Sequence, residues 1–125
     1  MRKIVILLAL VLFAETSYAL MPVNLYQKLI VSKNEDEMKL VRNYLGGVKD
    51  ALTSANAMLE VNKKQPLYCP PRNLGLTTDN FIQLINDGLS ELDKTMNKES
   101  LKGIKEGELT HYIAIRMQQV FPCKN

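Results

Sequence analysis

The sequence predicts an all-α domain, a small bundle of three to four helices stapled by one disulfide. Apolar residues recur at steps of three and four through separate segments, as one buried helix face requires. The densest group of prolines falls between those segments, where it separates helices. Two cysteines stand far apart, Cys69 in "LYCPPRN" and Cys123 in the terminal "QVFPCKN".

The fate of those cysteines depends on compartment, and the first nineteen residues supply it. Arg2 and Lys3 give a positive start, Ile4 to Ala14 is an apolar run, and Ser17, Tyr18 and Ala19 supply small residues at a cleavage position. Residues 1–19 therefore read as a secretory signal peptide cut after Ala19. Glu15 ends the apolar run well short of the roughly 20 residues that span a bilayer. The remainder, 20–125, is expected to be a single exported domain without stable membrane insertion. Removing Arg2, Lys3 and Glu15 from the 16 basic and 13 acidic side chains leaves 14 and 12, a formal charge of +2. Its lysines are scattered among acids and it has no tryptophan, which argues against a nucleic-acid partner.

In an oxidising compartment two cysteines in one chain pair, so a Cys69 to Cys123 bond is expected. It would tie the end of the last helix, which would otherwise fray, to the middle of the chain. Two cysteines and the lone His111, with no CxxC or HxxxH spacing, do not make a four-ligand zinc site. No cofactor motif is present.

Asn24 to Val31 reads as helix rather than strand. Asn34 then offers a cap, Glu35, Asp36 and Glu37 complement a helix N-terminus, and the stripe Met38, Val41, Leu45, Val48, Leu52, Ala55 and Leu59 predicts one helix from Glu35 to Val61. Gly46 and Gly47 each cost that helix about 1 kcal/mol relative to alanine. Close packing on a face with Ala51, Ser54 and Ala57 is the expected reason, with a kink as the alternative. "NKKQPLYCPPRNLGL" is an extended connection. Thr77 or Thr78 followed by Asp79 starts a second helix, whose stripe Ile82, Ile85, Leu89 and Leu92 runs to about Lys94. "KTMNKESLKGIKEG" reads as a loop with one helical turn around Glu99 to Ile104. Leu109, Ile113, Arg116 or Met117 and Val120 mark the last helix, which Pro122 ends.

Catalytic signatures are missing. No GxSxG, HExxH or SxxK pattern occurs, the thiols are consumed by the disulfide, and His111 has no partner fixed by the sequence. An enzyme is not expected, and binding is the function left. A proline-fixed, stapled loop loses little entropy on docking, so Tyr68, Arg72 and Asn73 are the candidate contacts to a protein partner. Leftover apolar residues on the helices leave a homodimer open.

"YLGGVKDALTSAN", "LYCPP" and the terminal "VFPC" together resemble the Rap/Tai family of type VI secretion immunity proteins, through Tyr44, Gly47, Ala51, Ala55, Asn56, Cys69, Pro70, Phe121, Pro122 and Cys123. The resemblance covers most of the chain from Val41 onward. It implies an HdeA-like helical fold, a periplasmic location, and inhibition by binding of a secreted peptidoglycan-cleaving effector of the amidase type. The alternatives are an HdeA-like acid-stress chaperone and an envelope protein whose partner is no toxin. Many relatives carry a further cysteine pair near Leu29 or Ile30 and at Val41, which here are aliphatic. Packing is expected to replace that bond.

Overall fold

A computed structural model describes residues 20–124; the leader assigned to residues 1–19 lies outside them. The described residues form five helices: α1 Val23–Ile30, α2 Glu35–Val61, α3 Thr78–Thr95, α4 Lys98–Glu106 and α5 Leu109–Val120. No strand occurs among them, only an isolated antiparallel bridge between Pro22 and Glu108.

Short polar side chains start three of the helices. Asn34 accepts from the backbone N–H groups of Asp36 (2.9 Å) and Glu37 (3.4 Å) ahead of α2. Thr77 and Asn80 cap α3 reciprocally: the Asn80 N–H donates to Thr77 Oγ1 at 3.2 Å and the Thr77 N–H to Asn80 Oδ1 at 3.0 Å. Each arrangement satisfies amide donors that have no partner in the first turn. Asn97 does the same for α4, accepting from the Ser100 N–H at 2.9 Å.

That cap makes α4 a nine-residue helix where the sequence suggested one turn, and the total is five helices rather than three or four. Gly103 does not interrupt it. A bridge from Lys105 Nζ to Asp93 Oδ1 at 2.8 Å fastens α4 to α3, while α4 itself buries no residue fully. Its stripe is half-buried only, at Leu101 and Ile104.

The core is a single cluster drawn from α1, α2, α3, α5, the connection after α2 and Met21 ahead of α1. Val23, Tyr26, Val41, Leu45, Phe81, Ile85, Leu109, Ile113 and Met117 are its fully buried members. Leu29 and Val41 both belong to it, so at these two aliphatic positions α1 and α2 contribute packing. At the last helix the ambiguity between Arg116 and Met117 is resolved in favour of Met117, which is buried.

The segment ahead of α1 is threaded across the α4–α5 junction. The Val23 N–H donates to the Gly107 carbonyl at 3.0 Å, and the Leu109 N–H to the Met21 carbonyl at 2.8 Å. Tyr44 and Thr110 hydroxyls meet at 2.8 Å between α2 and α5. Arg42 and Asp79, 2.7 Å apart, join α2 to α3 at the surface, a pair worth at most about 1 kcal/mol at that exposure.

The close packing expected at Gly46 and Gly47 is not made by the described residues. A Cβ added at either would meet no atom within 4 Å. Gly88 on α3 is the helical glycine whose lack of a side chain is used: an added Cβ would collide with Tyr112 Oη and would lie 2.7 Å from Arg116 Nε. Nothing in the sequence singles out Gly88, because the Tyr112 side chain packed against it comes from a helix two elements away.

Candidate docking loop and adjoining cavity

The segment between α2 and α3 has no regular structure, so its backbone groups need other partners. Lys63, in the left-handed region at φ 54°, turns the chain out of α2. Asn56 then holds the following residues from below, donating from Nδ2 to the Tyr68 carbonyl at 2.8 Å and accepting at Oδ1 from the Leu67 N–H at 2.8 Å. A side-chain amide has one donor end and one acceptor end, and here each finds a backbone complement.

Tyr68 is 3 % exposed and sits in the core cluster. It therefore offers no surface to a partner: its own carbonyl and the Leu67 N–H bond to Asn56, and the ring supports the loop from inside. One residue on, the Cys69 N–H donates to the Phe121 carbonyl at 2.8 Å, and Cys69 Sγ is bonded to Cys123 Sγ at 2.05 Å. The expected staple is thus formed, and Cys123 joins the end of α5 to this loop.

Beyond the staple, Pro71 to Leu74 is a turn closed by the Leu74 N–H donating to the Pro71 carbonyl at 2.9 Å. Arg72 and Asn73 are its two central residues, and both are exposed. Arg72 forms no ion pair with any described residue. A shallow depression of about 380 Å³ lies beside the base of the loop, between Pro66 and Leu67 on one side and Gln118 and Pro122 on the other.

A larger cavity of about 560 Å³ opens between α3, α4 and α5, with Leu92, Ile104 and Ile115 as apolar wall and Arg116 and Glu91 as charged edge. Arg116 Nη1 lies 3.3 Å from Glu91 Oε2. Tyr112 Oη and Arg116 Nε are buried without a hydrogen-bond partner among the described residues. Burial pushes the Tyr112 phenol up, the Arg116 guanidinium opposes that rise, and Glu91 adds to it. His111 Nδ1 and Glu108 Oε2 stand 3.5 Å apart at the rim. No motif announces this cavity, whose wall is assembled from three helices.

Among the described residues no group of three or more histidine, cysteine, aspartate or glutamate side chains is placed to hold a metal ion. No helix of the described residues is long and apolar enough to cross a membrane. No protein family, no characterised protein and no solved structure matches this chain. The family likeness drawn from its sequence rests on the residues quoted for it.

Proposed function

We propose that the protein is an exported inhibitor that docks the Pro71–Leu74 turn onto a secreted peptidoglycan-cleaving hydrolase of the amidase type and neutralises it by occupation. The observation that carries the reading is the fastening of the loop. Asn56, the Cys69–Cys123 bond and the Cys69–Phe121 hydrogen bond hold its base, while Arg72 and Asn73 stand free at its tip. A segment already fixed in shape forfeits little entropy on binding. An exposed arginine with no ion pair among the described residues brings five donors to an acidic or carbonyl-lined cleft. The target class comes from the sequence likeness to immunity proteins, and an HdeA-like fold belongs to the same proposal.

The test is digestion of purified peptidoglycan by amidases encoded beside this gene, with increasing amounts of the protein. Inhibition should be stoichiometric, and Arg72→Asp with Asn73→Asp should weaken it at least about tenfold, equivalent to about 1.4 kcal/mol. Because both positions are exposed, the urea midpoint of the double variant should stay within about 0.5 kcal/mol of the parent. Full inhibition by the double variant would move the contact surface elsewhere. Protection of an aggregating client at low pH, without amidase inhibition, would instead favour the acid-chaperone reading.

A further inference from the structure

The cavity between α3, α4 and α5 is finished differently from the core beside it. Ile115, a large apolar residue of its wall, is 56 % exposed, and Ile104 comes from α4, which buries no residue fully. The volume of about 560 Å³ lies within the roughly 300–1,000 Å³ of small-molecule sites. Two donors belonging to its lining go unused. Tyr112 Oη and Arg116 Nε both pack against the bare backbone of Gly88, which lines the same cavity, and neither has an acceptor among the described residues. Burial pushes the Tyr112 phenol up, so its hydroxyl keeps the proton it would donate. Buried donors are ordinarily satisfied, and each one left over opposes folding.

We propose that this cavity is a binding site for a small neutral amphiphile, a hydrocarbon body carrying one carbonyl oxygen. The body lies against Leu92, Ile104 and Ile115, and the oxygen accepts from Tyr112 Oη and Arg116 Nε. The charges of the lining select the head. Glu91 and Glu108 outnumber Arg116, whose guanidinium is already bridged to Glu91 at 3.3 Å. A carboxylate or phosphate would enter beside two like charges. An ammonium would bring donors to donors. An uncharged oxygen meets both idle N–H and O–H groups without disturbing that balance. Arg116 is held by its tip alone, to Glu91 and, at 3.5 Å, to Gln119 Oε1, so a small rotation of its stem opens both donors to the cavity. None of the residues of the Pro71–Leu74 turn lines this site, and its occupancy is separable from inhibition of an amidase.

Octanamide and octanoate, alike in chain length and shape, test the site and its choice of head by amide NMR titration of the purified protein. Octanamide should shift the signals of Leu92, Ile104, Tyr112 and Ile115 saturably, with a dissociation constant of about 1 mM or below. Octanoate should bind at least about tenfold more weakly. Tyr112→Phe keeps the ring and deletes a hydroxyl that has no partner, so the melting temperature should not fall, while octanamide should bind at least about fivefold more weakly. Ile115→Glu, at an exposed position, should leave the circular dichroism unchanged and abolish the shifts. No saturable shift up to about 3 mM octanamide overturns the proposal. So does octanoate binding as tightly as octanamide, octanamide binding unchanged in Tyr112→Phe, or shifts that saturate elsewhere on the surface.

Discussion

Asn56 is the one polar side chain buried among the described residues, and both ends of its amide are used on the loop after α2. Replacing it with alanine strands a backbone carbonyl and a backbone N–H, a loss of about 2–3 kcal/mol. Urea denaturation of Asn56→Ala should show a midpoint lowered accordingly, and amide exchange at Leu67 should accelerate. The tyrosines make a different kind of demand. Burial, and secondarily the neighbouring Tyr112, pushes the Tyr26 phenol well up, and burial pushes Tyr112 in the same direction. A phenol that holds its proton more tightly folded than unfolded stabilises the fold fully below its unfolded value of about 10, and that stabilisation falls away as pH rises above it. Thermal melts from about pH 9 to about pH 11.5 should decline steadily, and Tyr26→Phe should decline less steeply.

At the scale of the helix, two glycines carry opposite consequences. Gly46→Ala enters open space in α2 and should raise stability by about 0.5–1 kcal/mol through helix propensity alone. Gly88→Ala forces the Tyr112 hydroxyl and the Arg116 side chain to move, so overpacking of about 1–3 kcal/mol should outweigh the same gain and lower the melting temperature. Paired melts of the two variants read the sign. Periodicity and caps made α2, α3 and α5 legible in advance, because those signals are local: Asn34, Thr77 and the three- and four-residue stripes lie beside the helices they start and bury. α4 is harder to read, because Gly103 and a mostly polar stretch obscure a helix held by its Asn97 cap and by Asp93 on a neighbouring element. The same limit explains Tyr68. Its enrichment at binding surfaces is a property of the residue type, whereas its burial follows from Asn56, twelve positions earlier. That Arg72 and Asn73 lie in a turn was legible, because prolines beside polar residues announce one. The cavity between α3, α4 and α5 was not, since three helices meet there and none carries a motif for it.

For the molecule as a whole, the Cys69–Cys123 bond closes a loop with a sequence separation of 54 that contains α3, α4 and α5. By the chain-entropy account this raises the free energy of the unfolded chain by about 4 kcal/mol, a large part of the 5–15 kcal/mol typical of small domains. Cys69→Ser with Cys123→Ser, or a reductant, should lower unfolding stability by about that amount, measured as the shift in urea midpoint at constant slope. A shift of a few tenths would mean that the unfolded chain stays compact there without the bond. Helices α1 and α2 lie outside the ring and are joined to it by packing, by Tyr44 with Thr110 and by the strap over Gly107.

That division has a mechanical side. Tension applied at residues 20 and 124 would run from residue 20 through α1 and α2 to Cys69, cross the sulfur bridge to Cys123, and leave by Lys124. The three helices in between would lie off the line of force, so a puller could straighten the first two helices while the covalent ring around α3, α4 and α5 stayed closed.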